Sequence, residues 1–95
     1  MQGLAGGEFC NIAIIGNQRG LHARAAAKFV KIAESFMADI NVVKGDMRVS
    51  ARSIMGLMML AASCGSEIKI NATGVDAAAA VTALTDFVKR KFDEE

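Results

Sequence analysis

The chain has 95 residues, enough for one domain, and a domain this small cannot enclose a large active-site cavity. Hydrophobic residues make up 53% with alanine prominent, Phe is the only aromatic type, and Pro, Trp and Tyr are absent. A net charge of +1 is too balanced for a nucleic-acid or anionic-membrane footprint, and no apolar run is long enough to span a bilayer. One histidine and two separated cysteines, Cys10 and Cys64, make no zinc pattern, so no metal or cofactor is expected. The thiols read as reduced core residues of a cytoplasmic protein.

Residues 1–8 carry three glycines and neither a basic nor an apolar leader segment, and read as a flexible tail. Phe9 to Gly16 reads as a strand, with Ile12, Ile14 and Ile15 supplying β-branched bulk on both faces. Asn17-Gln18-Arg19-Gly20 is a polar loop. From His22 the period becomes helical, with Ala26, Phe29, Val30, Ala33 and Met37 forming a stripe. Ile40 and Val42, then Met47 and Val49, alternate with polar residues around Gly45-Asp46, a hairpin pattern.

Ser53 is placed to cap a short helix carrying Ile54, Leu57, Met58 and Ala61, which Cys64-Gly65-Ser66 would break. Ile68, Ile70 and Ala72 alternate as another strand. After Gly74, Asp76 is expected to cap a last helix with the stripe Ala77, Ala80, Val81, Leu84, Val88 and Phe92. Lys89, Arg90 and Lys91 lie at its cation-favouring end. The order is β-α-β-β-α-β-α. It predicts an α+β open-faced β-sandwich: a four-stranded, mainly antiparallel sheet with three helices on one face. Residues 9–92 would form the single domain, and 93–95 an acidic end.

The chemistry concentrates in Gly20-Leu21-His22-Ala23-Arg24-Ala25-Ala26. His22 falls at the helix N-cap, where Ser, Thr, Asp or Asn is usual, so the imidazole suggests another use of that position. Neutral imidazole is nucleophilic, and the positive helix end disfavours imidazolium. That end also offers free N–H groups to phosphoryl oxygens, and the Arg24 guanidinium fork could reach them too. A lone histidine at a helix start is, more often than not, a surface residue without a role. The residues alone leave both readings open.

Gly20-Leu21-His22-Ala23-Arg24-Ala25-Ala26-Ala27 resembles the phosphorylation-site motif of the HPr family, the histidine-containing phosphocarriers of the bacterial phosphoenolpyruvate-dependent phosphotransferase system. Arg52-Ser53-Ile54-Met55-Gly56-Leu57-Met58-Met59-Leu60 resembles the same family's regulatory-serine region, and the likeness runs from about Phe9 to Phe92 in register. The resemblance implies that His22 takes a phosphoryl group through Nδ1 from enzyme I and passes it to an enzyme IIA-type acceptor, with Arg24 assisting. It implies a carrier working with partner proteins, not a free-standing enzyme. It implies that Ser53 matches a serine modified by a serine-directed kinase/phosphorylase, although a serine N-cap needs no regulatory reason. Family members usually have proline where this chain has Ala25, which restores a backbone donor and loosens the loop.

The docking surface expected on these grounds combines Leu21, Arg24, Lys28, Lys31, Arg52, Ile54, Met55 and Met58. A short helix buries one stripe only, and flexible methionines suit several partners. The cations would steer acidic partners to a monomeric carrier. An alternative output is a regulatory, nitrogen-related branch of the same system. A single-stranded RNA reader shares the element order, but it needs aromatic platforms and a basic surface that this chain lacks. A paralogue without carrier activity is disfavoured by the presence of His22.

Overall fold

The structure is a computed structural model describing residues 2–4, as backbone, and residues 7–94. The elements are β1 (Gln2–Leu4), β2 (Glu8–Ile14), α1 (Ala23–Ala33), β3 (Asp39–Lys44), β4 (Met47–Ser50), α2 (Ile54–Met59), β5 (Glu67–Thr73) and α3 (Ala77–Lys89). A short 3₁₀ turn, Lys91–Asp93, follows α3. The sheet order is β1-β2-β5-β3-β4, antiparallel throughout. The four expected strands and three helices are present as an open-faced β-sandwich. Within the segment read as a tail, Gln2–Leu4 adds a fifth, edge strand by pairing with Glu8–Cys10 of β2. Backbone pairing needs no side-chain pattern, which is why the glycine-rich composition concealed it.

β5 is the centre of the sheet. Its Ile68, Ile70 and Ala72 face the helices and are buried, while Glu67, Lys69 and Thr73 face outward. The same alternation buries Ile40 and Val42 of β3. On β2, Phe9, Asn11 and Ala13 stand opposite Ala72, Ile70 and Ile68, so the helix face is theirs. Ile12 and Ile14 consequently lie on the open face, about half exposed. Gly45 takes the positive φ, +58°, needed for the two-residue β3–β4 turn. Between the layers pack Phe29, Leu57, Leu60, Leu84 and Phe87, with Phe92 edge-on to Phe87 at 5.5 Å.

Three expectations require correction. Met37 is 86% exposed, because α1 stops at Ala33 and never carries it to the core. The Arg52 guanidinium takes up the carbonyls of Ala33 and Phe36 there, the latter at 2.5 Å. Asp76 occupies the N-cap position of α3 without capping it; both its oxygens instead accept from the Met37 and Ala38 amides at 2.8 Å. Cys10 is buried, but Cys64 is exposed on the loop before β5 and is no core residue.

Candidate functional site

The loop between β2 and α1 is shaped by Asn17, which is 1% exposed. Its Nδ2 donates to Gly20 O at 2.9 Å, and its backbone carbonyl accepts from the Gly20 amide at 3.2 Å. Gly20 sits at φ +66°, and a Cβ there would lie 2.4 Å from Ala62 O. This close approach lets the Leu21 amide donate to the same Ala62 carbonyl at 2.9 Å. The loop is therefore tied at both ends, and the residue that follows has a defined direction.

That residue is His22. It is the N-cap of α1, with extended backbone (φ −79°, ψ 179°). Its carbonyl accepts the first helical bond, from Ala26 N at 2.8 Å, and its Nδ1 accepts from the Arg24 amide at 3.2 Å. The imidazole thus does the work of a conventional cap oxygen. With Nδ1 an acceptor, the proton of the neutral ring belongs on Nε2. The side chain is 13% exposed, so His22 is less open than a surface loop residue.

What covers it is Glu94. Glu94 Oε1 lies 2.8 Å from Arg24 Nε, 2.5 Å from Arg24 Nη2 and 3.4 Å from His22 Nε2, the last not aligned for a hydrogen bond. Glu94 Oε2 pairs with Lys28 Nζ, which also reaches Phe92 O at 3.4 Å. The hydrogen bonds from Arg24 and then Lys28 hold the Glu94 carboxyl down to about 2, against a smaller opposing effect of burial. Reciprocally, Glu94 pushes the Arg24 guanidinium up. Two cations thus converge on one carboxylate beside the Nε2 edge of an imidazole that caps a helix, so this corner of the molecule is built to hold an oxyanion.

The remaining site residues divide clearly. Ser53 caps α2, its Oγ accepting from the Gly56 amide at 2.9 Å. Ile54, Met55 and Met58 are exposed to 41%, 71% and 41%, with Met59 beside them at 63%, and only Leu57 of α2 is buried. Lys31 is exposed on α1. Leu21, expected on the docking surface, is 5% exposed and packs in the core, because the Gly20 turn aims it inward. Arg52 is solvent-exposed, yet its guanidinium is occupied at the end of α1. Asn17 and Glu94 were not singled out from the sequence. An Asn three residues before a turn glycine was a usable signal for the first; for the second, 70 positions from Arg24, none existed.

A phosphocarrier-type open sandwich with a histidine-capped helix is the class these features define. A profile described as "PTS HPr component phosphorylation site" matches residues 11–90, and the chain belongs to this HPr phosphocarrier family. The phosphocarrier protein HPr of Neisseria meningitidis is 49% identical over 78 residues, 82% of this chain and 88% of that protein. The phosphocarrier protein NPr of Shewanella violacea is 45% identical over 78 residues, 82% of this chain and 86% of that protein. Among solved structures, HPr-C-His from Thermoanaerobacter tengcongensis superposes with a TM-score of 0.87 at 44% identity, covering 92% of this chain and 98% of that one.

Proposed function

We propose that His22 accepts a phosphoryl group on Nδ1 from a phosphorylated enzyme I and delivers it to an enzyme IIA-type acceptor in the cytoplasm. The observation that carries this reading is the N-cap geometry: the Nδ1 lone pair faces the Arg24 amide at the start of α1, and the Arg24 guanidinium and Lys28 meet at Glu94 beside the same ring. In the transfer the donor's P–N bond breaks as a new one forms at Nδ1, and the Nε2 proton stays on the ring. The Arg24 amide, released from Nδ1, then donates to a phosphoryl oxygen, and the guanidinium neutralises its charge. Ile54, Met55, Met58 and Lys31 form the surface that meets partners. Ser53 is the site at which a serine-directed kinase would control docking.

Incubation with phosphoenolpyruvate and enzyme I, followed by intact mass, tests this directly. One acid-labile phosphoryl group is expected, absent in His22→Ala. An unmodified mass, or a label that survives acid, refutes it. The NPr relative favours a second output, a nitrogen-related regulatory branch. Offering the phosphorylated protein to sugar-specific and nitrogen-branch IIA proteins, and measuring which one discharges it, separates the two.

A further inference from the structure

The sheet face turned away from the helices carries a second concentration of polar groups, across the sheet from the helix that His22 caps. In register, Asn41 of β3 stands opposite Asn71 of β5, and Val43 stands opposite both Lys69 of β5 and Arg48 of β4. The two cations thus share one row, ~10 Å apart across two strand spacings, a gap that their long side chains bridge. Glu8 and Thr73 form another row towards one end of the same face. With Asn41, Asn71, Arg48 and Lys69 they line a shallow cavity of about 230 Å³. That is just under the ~300–1,000 Å³ of sites for drug-sized molecules, so it suits a smaller one.

Two hydrogen bonds give this floor a fixed polarity. Arg48 Nη1 and Asn71 Nδ2 both donate to Asn41 Oδ1, each at 3.1 Å. Arginine has no acceptor, so it is the Asn41 oxygen that faces it, and both lone pairs of that oxygen are then used. The guanidinium, ordinarily a mobile surface group, is thereby held in place before anything binds. Among the described residues, no carboxylate lies within ion-pair distance of Arg48 or Lys69, and Asn41 Nδ2 has no acceptor. The Arg48–Lys69 end is therefore rich in unspent donors and carries two uncompensated positive charges. The other end offers acceptors instead, the exposed Glu8 carboxylate and Thr73 hydroxyl.

We propose that this groove is a binding site for a small phosphate monoester of a polyol, its phosphate between Arg48 and Lys69 and its hydroxyls towards Asn71, Thr73 and Glu8. Two cations match a dianion, which a phosphate monoester approaches at neutral pH and a single carboxylate does not. Arg48 supplies a planar fork of donors and Lys69 a point charge, two complementary ways of gripping phosphate oxygens. Hydroxyl groups both donate and accept, so a polyol uses Asn71, Thr73 and Glu8 at once. None of these residues takes part in the chemistry at His22, and the helices that carry His22 and the exposed methionines lie on the other side of the sheet. Ligand and protein partner can therefore be bound together, and the site stands or falls independently of the carrier reading.

Glycerol 3-phosphate is the probe, titrated into the whole chain and followed by NMR of the Asn41 and Asn71 side-chain amides, the backbone amides of residues 69–73 and, separately, those of His22 to Ala26. Saturable shifts are expected in the first two groups. Inorganic phosphate should bind there about tenfold more weakly, having no polyol arm. Arg48→Gln should weaken glycerol 3-phosphate about ten- to a hundredfold by removing a charge-assisted grip. Asn41→Asp keeps an acceptor for Arg48 and Asn71 and should fold as well as the wild type, yet its negative charge in the floor should weaken binding about tenfold or more. No shift, shifts confined to His22 to Ala26, equal affinity for inorganic phosphate, or wild-type affinity in either folded variant overturns the proposal. Tighter binding of O-phosphoethanolamine would make the Glu8 end an ammonium site and overturn the polyol assignment. Vesicles of phosphatidylglycerol present phosphate and hydroxyls as a lipid diester; the protein should stay in the supernatant, and co-sedimentation would overturn the free monoester as the ligand.

Discussion

Replacing Gly20 by alanine would put a methyl carbon 2.4 Å from Ala62 O and 2.9 Å from Ser63 Cα, both backbone atoms with little freedom to yield. Holding an alanine at φ +66° costs about 1–2 kcal/mol by itself. Relieving the overlap requires the two loops to separate, which breaks the 2.9 Å bond from Leu21 N to Ala62 O and removes about 0.5–1.5 kcal/mol more. Partial exposure of Leu21 adds to this, so a total of about 2–4 kcal/mol is expected. Against a native stability of about 5–15 kcal/mol that is a large fraction, equivalent to a fall in Tm of about 10–25 °C. Gly45→Ala is the internal control: its φ is +58°, but nothing lies within 4 Å of the added carbon, so only the conformational cost applies. Urea unfolding of both variants, with m unchanged, gives the comparison. Gly20→Ala should also accept phosphate on His22 more slowly, since the loop that aims the imidazole is displaced. If it unfolds no more easily than Gly45→Ala, the close approach to Ala62 is not what fixes this loop.

Arg24→Lys should slow phosphoryl uptake about ten- to a hundredfold, because a single ammonium replaces a fork that grips two oxygens; single-turnover kinetics at the wild-type rate would assign the stabilisation to backbone amides alone. Ser53→Ala should lose about 1 kcal/mol by removing the bond to Gly56 N yet transfer normally, whereas Ser53→Asp should fold as well as the wild type and accept phosphate much more slowly. A normal rate for Ser53→Asp would leave Ser53 as a cap only. The Glu94 contacts have a defined acid limb. Folding lowers the carboxyl from 4.5 to about 2, so their stabilisation is complete above about pH 4.5 and disappears as pH falls towards 2. The Tm difference between wild type and Glu94→Gln should close over that window, and a pH-independent difference would mean that the ion pairs do not form in solution.

Much of the architecture was legible because single-face burial writes a period into the chain. Ile68, Ile70 and Ala72 alternate because the central strand has one buried face, and Ala77, Ala80, Val81, Leu84 and Val88 recur at helical spacing for the same reason. Local chemistry was equally readable at Gly45-Asp46 and Ser53, where a turn and a cap depend on neighbours only a few residues away. Phe92 was rightly assigned to the core but not to its element: it is carried there by the left-handed turn after α3, not by the helix. Helical spacing continues past a helix end by coincidence as readily as by design.

The failures share a cause. Asp76 was read by its nearest role, capping the helix that follows, when two amides 38 and 39 residues earlier in the chain were more in need of an acceptor. Arg52 is expected to add positive charge to the docking surface, and the structure engages its guanidinium at the end of α1, while Leu21, expected on the same surface, is turned into the core by Gly20. What the sequence determined alone was the element order from β2 to α3, the core faces of β3, β5 and α3, and the placing of His22 and Arg24 at a helix start, all consequences of interactions within one turn or one strand. What only the tertiary structure decided was the company His22 keeps. The distance from Glu94 to Arg24 and Lys28 is set by how α3 packs beside α1 and by three strained residues at its end, and no local pattern encodes a contact between positions 24 and 94.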